Sequence, residues 1–280
     1  MLPLAKVAAV VLALAWPACR AYVLTDTGLA VTTQVVPMSN GVFKVPPGTE
    51  YLAVEIGCSD RNTMDEDWLE QNPKGFLVSF EPLLDKYAIL LARGTKRYHR
   101  DEKDLSVPLG HHHRRGIVLP FAVTPSSTGG NIVLNVSPIA GCSSTAKVKR
   151  TGFSGRLCKT VSERRLVDSL GLVQVLNMTR PKPIRILKID AQGIDYALVR
   201  SVSVEFLRER VEGIRLETIS HACRKLYDGQ VSCEQVVAYM SSAGYYPDRP
   251  CSQSKDMCEV DVLFSRGPMP DAQAIIEHDH

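Results

Sequence analysis

Three segments of the sequence carry acidic, amide and glycine residues directly after an apolar run. They are Glu55–Asn62, Glu81-Pro82 and Asp190–Asp195. If the apolar runs are strands of an open α/β sheet, these segments lie at the carboxyl edge, where such sheets bind their ligands. A carboxylate there can accept hydrogen bonds from ribose hydroxyls or take a proton from a reacting group. The pattern therefore predicts a nucleotide-type site with a candidate base beside it.

The spacing between two of these segments supports a nucleoside ligand. Glu81 lies 24 residues after Gly57, close to the roughly 20 expected between the glycine turn and the ribose-binding acid of a nucleotide fold. Each feature alone has an ordinary structural explanation. Glu81 could be an acidic residue that interacts favourably with a helix N-terminus. Asp190 or Asp195 could be a helix cap or a solvated helix residue. Their coincidence at strand ends favours the functional interpretation. His221, after a later run, is an alternative base, since histidine titrates near neutral pH.

Strand-like and helix-like segments alternate along the chain. The short apolar runs that predict strands are 51–56, 75–80, 116–123, 131–136, 184–189, 211–219 and 259–264. Helices are predicted over 65–71, 83–92, 162–176, 193–208 and 233–243. Runs rich in β-branched residues suit strands that are buried on both faces. The alternation predicts the α/β class, with a doubly wound sheet.

Composition excludes several classes of protein. The chain has 280 residues, of which 45% are hydrophobic and 22% charged, an ordinary globular composition. The 33 basic and 30 acidic residues are mixed along the chain and give a net charge of +3. Without a basic stripe, no nucleic-acid partner is predicted. Because the one long apolar run is N-terminal, a multispanning membrane protein is excluded.

The N-terminus predicts a secretory address. Residues 1–21 have the layout of a signal peptide, with Pro17 after the apolar stretch and Cys19 and Ala21 at plausible −3 and −1 positions. The stretch is short for a span, which needs about 20 apolar residues. We expect a lumenal or extracellular protein without a membrane span after cleavage; an uncleaved anchor is the alternative. Residues 22–47 then form a leader segment, 48–266 one domain, and 267–280 a polar tail.

The cysteines agree with an oxidising compartment. Cleavage would remove Cys19 and leave seven of the eight cysteines. Local spacing suggests the pairs Cys142 with Cys158, Cys223 with Cys233, and Cys251 with Cys258, which leaves Cys58 in the predicted site. Zinc is the weaker alternative, because no pair has C-x2-C spacing, and no metal site is predicted. The run His111-His112-His113-Arg114-Arg115 is typical of a solvated loop rather than a metal site.

Three segments together resemble the FkbM-type methyltransferases, a branch of the class I, Rossmann-like S-adenosylmethionine-dependent enzymes. They are VSFEP (78–82), LKIDAQGIDYALV (187–199) and PFAVTPSSTGGNIVLNVSPIAGCSS (120–144). The resemblance runs from about Tyr51 to Arg266. It implies a mostly parallel, seven-stranded Rossmann-like sheet with an antiparallel C-terminal strand, and S-adenosylmethionine as the cofactor.

The resemblance also implies roles for individual residues. Asp190 would stand near the acceptor as a base or an orienting group, and Gln192 would help to hold the cofactor or the acceptor. Glu81 would bind the cofactor ribose, while Ala122 and Val123 would lie against the adenine. The full set of implied cofactor-binding residues is Glu55, Gly57, Cys58, Ser59, Arg61, Glu81, Pro82, Ala122 and Val123.

The first motif departs from the family pattern of acid-x-Gly-Ala-Asn-x-Gly. Glu55 and Gly57 match it, but Cys58 and Ser59 replace the alanine and asparagine, and Arg61 replaces the last glycine. A guanidinium there could pair with the carboxylate of the cofactor's methionine moiety and preserve binding. It could equally fill the pocket and mark a chain without catalysis.

The implied function is transfer of a methyl group to a hydroxyl of a small-molecule or glycan acceptor in the secretory pathway. The first alternative is a catalytically inactive binding or scaffold protein on the same fold. The second is another Rossmann-like enzyme, such as a nucleotide-sugar transferase or an NAD-dependent oxidoreductase. The lack of G-x-G-x-x-G after the first predicted strand counts against the oxidoreductase.

Overall fold

The computed structural model describes most of the predicted domain. It covers residues 38–59, 64–92, 115–139, 141–149, 158–255 and 258–267, together with the backbone of two short strands at 20–24 and 30–34. These two strands, β1 (Arg20–Leu24) and β2 (Ala30–Gln34), pair antiparallel. A second small hairpin joins β3 (Met38–Ser39) to β4 (Val42–Phe43). Most of the predicted signal segment, with Cys19, lies outside the described residues.

A seven-stranded sheet forms the centre of the molecule. Its strands are β5 (Tyr51–Ile56), β6 (Gly75–Phe80), β7 (Gly116–Leu119), β11 (Ile184–Ile189), β12 (Gly213–Ile219), β13 (Tyr245–Pro247) and β14 (Glu259–Arg266). Their order is β13-β14-β12-β11-β5-β6-β7. The pairings from β12 to β7 are parallel, and β14 runs antiparallel to both of its neighbours. The predicted doubly wound, mostly parallel sheet with an antiparallel C-terminal strand is therefore confirmed.

Six helices are described beside the strands. They are α1 (Met64–Gln71), α2 (Leu84–Ala92), α3 (Leu172–Met178), α4 (Asp195–Arg200), α5 (Val204–Arg210) and α6 (Cys233–Ser242). Helix packing buries the central strands so fully that Leu52, Val54 and Leu187 have no exposed surface. The helix predicted over 193–208 is divided in two, because Ser203 caps a new helix by accepting a hydrogen bond from the Phe206 N–H.

A three-stranded sheet corrects two of the predicted elements. It contains β8 (Ala122–Thr124), β9 (Gly130–Val136) and β10 (Glu163–Gly171), in the order β8-β10-β9. The predicted strand 116–123 is in fact β7 and β8, which belong to different sheets and are separated at Pro120, a residue without an N–H for a ladder. This break places Ala122 and Val123 in β8.

The helix predicted over 162–176 was wrong for most of its length. Residues 163–171 form β10, and only the following residues form α3. The spacing of Leu166 and Leu170 suggested a helical face, yet Leu166 is 71% exposed. Seven residues of β10 pair with β9, so long-range backbone hydrogen bonds override the local pattern.

Three disulfides join described residues, and two of them differ from the predicted pairs. Cys142–Cys158 is confirmed, but the other bridges are Cys223–Cys258 and Cys233–Cys251. The predicted pairs assumed that cysteines near in sequence are near in space. Instead, the end of β12 lies beside the start of β14, where the Ser220 N–H donates to the Cys258 carbonyl at 2.7 Å. Cys58 keeps a buried thiol.

Within the described residues, no helix is long and apolar enough to cross a membrane. The histidine run 111–113 and Arg114 lie outside the described residues, whereas Arg115 donates hydrogen bonds to the carbonyls of Leu69 and Asn72 at 2.8 and 2.9 Å.

Candidate active site

A cleft opens at the carboxyl ends of β5, β6 and β11. Parallel strands bring their carboxyl ends to one edge of a sheet, so segments far apart in sequence meet there. Eight of the predicted site residues line this cleft: Gly57, Ser59, Glu81, Pro82, Ala122, Val123, Asp190 and Gln192. Arg61 lies outside the described residues.

The turn at Gly57, after β5, packs closely against the end of the neighbouring strand β11. Gly57 has a φ of +77°, and a Cβ on this residue would stand 1.9 Å from the Asp190 carbonyl oxygen. Only glycine tolerates both conditions. The N–H groups of Gly57 and Cys58 donate to the Phe80 carbonyl at 3.1 and 3.2 Å, which fixes the loop against β6.

Two predicted cofactor-binding residues lie behind the cleft and do not line it. Glu55 is fully buried, and its carboxylate accepts hydrogen bonds from the Lys188 ammonium at 3.2 Å and the Ser79 hydroxyl at 3.1 Å. It also accepts the Met64 N–H at the first turn of α1, at 3.1 and 3.2 Å. Burial raises the pKa of Glu55, and the charge of Lys188 with these donors opposes the rise. Cys58, 1% exposed, packs with Leu90 and Val118.

One wall of the cleft combines a carboxylate with apolar surface. Glu81 is 4% exposed, and its Oε1 accepts the Leu83 N–H at 2.9 Å, so the carboxylate is held at the end of β6. Pro82 and Leu83 continue this wall, and Ala122 and Val123 also line the cleft. A carboxylate beside such surfaces suits a ligand with vicinal hydroxyls and a flat apolar ring.

The other wall is built on Asp190 and Gln192. The Gln192 Nε2 donates to Asp190 Oδ1 at 2.8 Å and reaches Glu217 Oε2 at 3.5 Å. The Tyr227 hydroxyl donates to Gln192 Oε1 at 2.8 Å, so the orientation of the amide is determined. Gln192 and Gly193 both have positive φ values, +52° and +99°. A Cβ on Gly193 would stand 2.5 Å from the Tyr227 side chain, so the glycine permits this close packing.

Buried and partly buried carboxyl groups cluster around this wall. Asp195 accepts hydrogen bonds from the Ala191 and Gly193 N–H groups at 2.8 and 3.0 Å, yet burial raises its pKa to about 7. Burial, with the charge of Asp190, raises the pKa of Glu259 to about 7 and that of Glu217 well above its usual range. The pKa of Asp190 is also raised by burial, although Lys188 opposes the change. Groups of this kind can accept or donate protons near neutral pH.

The segment 141–149 lines the mouth of the cleft beside Gln192. Gly141, Ser143, Ser144 and Thr145 line the cleft, and the Ser144 hydroxyl donates to the Gln192 carbonyl at 2.6 Å. The Cys142–Cys158 disulfide anchors the start of this segment. Its far end pairs with the loop that carries Tyr227, through the Lys149 N–H to the Leu226 carbonyl at 2.6 Å.

Lys86 and Tyr227 belong to the candidate site but were not among the residues predicted from the sequence. The alternative base His221 lies outside the cleft. Lys86 lines the cleft one turn after Glu81-Pro82, a position that helical spacing could have indicated. Tyr227 gives no sequence signal, because a long-range contact brings it to Gln192. His221 does not line the cleft; its side chain is 63% exposed and its Nδ1 lies 2.8 Å from Glu234. Among the described residues, no three His, Cys, Asp or Glu side chains are grouped to hold a metal.

In class, the chain is a mixed α/β protein with a doubly wound, mostly parallel seven-stranded sheet. No family model and no curated protein matches it. It is similar to two solved structures of a 16S rRNA (adenine(1408)-N(1))-methyltransferase from Catenulisporales acidiphilia, a tryptophan-to-alanine and an aspartate-to-alanine mutant. The first is 8% identical with a TM-score of 0.37 and covers 80% of this chain and 88% of its own. The second is 9% identical, with a TM-score of 0.33 and coverages of 80% and 90%. Similarities this weak carry no argument about the reaction.

Proposed function

We propose that this chain is an S-adenosylmethionine-dependent O-methyltransferase that acts on a hydroxyl of a small-molecule or glycan acceptor in the secretory pathway. The observation that carries the proposal is the strand-end cleft, which collects Glu81, Ala122 and Val123 with Asp190 and Gln192. These are the residues that the FkbM-type resemblance assigns to the cofactor and to catalysis.

The lining residues fit such a cofactor chemically. The buried carboxylate of Glu81 can accept hydrogen bonds from the two ribose hydroxyls, and Pro82, Ala122 and Val123 offer apolar surface to a flat base. When bound, the cofactor supplies an electrophilic methyl group on a sulfonium centre.

Asp190 is the proposed base for the acceptor hydroxyl. Burial raises its pKa, which makes its carboxylate a stronger proton acceptor than a solvated aspartate. Gln192 holds Oδ1 of Asp190 at 2.8 Å, and Tyr227 holds Gln192 in turn, so the carboxylate is positioned before an acceptor arrives. The hydroxyls of Ser143 and Thr145, at the mouth of the cleft, suit a hydroxylated acceptor.

The disulfides support the proposed secretory location. Three disulfides join described residues, and such bonds persist in oxidising compartments. The signal peptide predicted over residues 1–21 would direct the chain to such a compartment. An uncleaved membrane anchor is the alternative location, and an inactive scaffold is the alternative function.

Calorimetric titration of the purified protein with S-adenosylhomocysteine tests the proposal. We expect micromolar binding, weakened about tenfold to a hundredfold in Glu81→Gln, because the amide replaces a charged acceptor of ribose hydrogen bonds. Glu50→Gln is the matched control, since Glu50 is an exposed carboxylate paired with Lys74. Absence of binding in the folded wild type would reject the methyltransferase and leave the scaffold alternative.

A further inference from the structure

A single cationic side chain lines the described part of the cleft. Lys86, in the first turns of α2, lines it together with Ser59, Glu81 and Asp190. Its Nζ donates a hydrogen bond to the Ser59 hydroxyl at 3.0 Å, so the ammonium lies against the loop that follows β5. Helix α2 begins at Leu84, two residues after Pro82, so the helix that follows β6 brings Lys86 to the same cleft as Glu81.

The position of Lys86 also places its charge near the acidic wall. Its positive charge is among the influences that lower the pKa of Asp190, whose dominant influence is burial. In the part of the chain that the structure describes, the contact made by the ammonium is the Ser59 hydroxyl rather than a carboxylate. A hydroxyl contributes no countercharge, so an anionic ligand group at this point would gain a charge-assisted hydrogen bond.

We propose that Lys86 binds the carboxylate of the amino-acid moiety of the cofactor, with Ser59 holding the ammonium in place. This inference rests on the proposed function. The charges of the cleft match those of the ligand: Glu81 suits the ribose hydroxyls, Asp190 suits the cationic sulfonium end, and Lys86 suits the remaining anionic group. Arg61, which the sequence offers for this carboxylate, lies outside the described residues, whereas Lys86 supplies a cation from a described helix.

Two ligands distinguish binding of the carboxylate by Lys86 from a general disturbance of the cleft by the substitution. S-adenosylhomocysteine carries the carboxylate, whereas methylthioadenosine keeps the adenine and ribose but lacks the amino-acid moiety. In Lys86→Gln we expect calorimetry to show binding of S-adenosylhomocysteine weakened about tenfold to a hundredfold. Binding of methylthioadenosine should change less than about twofold, and Lys86→Arg should restore most of the lost affinity.

Control variants make each outcome decisive. Lys74→Gln removes an exposed lysine, whose partner is Glu50, and should leave both affinities unchanged. Glu81→Gln should weaken both ligands, because both carry the ribose. Unchanged binding of S-adenosylhomocysteine in Lys86→Gln, or equal weakening of both ligands, would overturn the role of Lys86 while leaving the cofactor proposal intact. If the folded wild type bound neither ligand, the proposed function itself would fail and this role with it.

Discussion

Two groups of carboxylates, Glu55 fully buried and Glu217 with Glu259 partly buried, lie on the same sheet and differ in what surrounds them. Glu55, between β11 and β6, meets an ammonium, a hydroxyl and a helix N–H, all within 3.2 Å. Glu217 and Glu259, at the β12–β14 end of the sheet, lie near Asp190 and Asp195 instead. Glu217 is reached by one amide at 3.5 Å, and Oε1 of Glu259 is buried without a hydrogen-bond partner among the described residues.

This difference separates a structural acid from acids that can exchange protons. The donors around Glu55 stabilise a charge that burial alone would disfavour, and the negative charges of Glu55 and Asp190 raise the pKa of Lys188 although burial opposes it. Around Glu217 and Glu259 the neighbouring charges are negative, so they add to the effect of burial. The first group links β5 and β11 to α1, whereas Glu217 and Glu259 lie near Asp190 and have pKa values raised toward neutral pH.

The largest expected effect tests the structural group. Glu55→Ala leaves the Lys188 ammonium buried without its main partner, and we expect the free energy of unfolding to fall by about 3–5 kcal/mol. Urea denaturation measures this loss. Replacing both partners, as Glu55→Leu with Lys188→Met, should cost much less, because no buried charge is left alone. A loss below about 1 kcal/mol in Glu55→Ala would contradict the comparison.

A smaller change in stability, in the opposite direction, is expected when the carboxyl group of Glu259 is replaced. The Glu259 carboxyl has an ordinary pKa of 4.5 and a pKa of about 7 in the folded chain. Between these pH values the folded state binds a proton that the unfolded state has released, so stability falls as the pH rises through this window. Glu259→Gln removes this dependence, and we expect it to stabilise the protein by about 2 kcal/mol at pH 8 and by almost nothing at pH 4.

Urea denaturation of wild type and Glu259→Gln across that pH range checks the expectation. Glu70→Gln, at an exposed position of α1, is the matched control and should follow the wild-type curve. Parallel curves for wild type and Glu259→Gln would show that Glu259 is charged without cost, and the two groups of carboxylates would then not differ as described.

The smallest expected effect concerns the uncharged hydrogen bond from Tyr227 to Gln192, beside the acidic residues. Tyr227→Phe removes the hydroxyl that donates to Gln192 Oε1, which leaves a partly buried acceptor unpaired. We expect a loss of about 1 kcal/mol in the free energy of unfolding. Tyr239→Phe, on α6, serves as the control, with an expected change within about 0.5 kcal/mol. An equal loss in both variants would show that the bond to Gln192 contributes nothing particular.

Elements determined by local sequence patterns were predicted correctly, whereas elements determined by contacts between distant segments were not. Buried parallel strands such as β5, β6 and β11 have nearly continuous apolar runs, so their positions were correct to the residue. Strand β10 presents Leu166 to solvent and is determined by pairing with β9, so its local pattern predicted a helix. Two of three disulfides were mispredicted for the same reason, since sequence spacing carries no information about chain crossings.

In the candidate site, the positions of several residues were predictable from the sequence, whereas their partners and protonation were not. Gly57, Glu81 and Asp190 were identifiable because residues at the carboxyl ends of parallel strands must share one edge. Their chemical states were not, because the donors around Glu55 and the acids around Glu217 come from strands distant in sequence. Lys86 and Tyr227 entered the site through packing of α2 and of the loop after β12.

The sequence by itself determined the alternation of apolar runs and helices, the doubly wound sheet and the identity of the residues at its carboxyl edge. These follow from local periodicity and from the geometry of parallel strands. Only the tertiary structure decided which carboxylates meet a cation and which meet each other, and therefore which are structural and which can move protons. The physical reason is that a buried charge is governed by neighbours within a few ångströms, and those neighbours are brought together by folding.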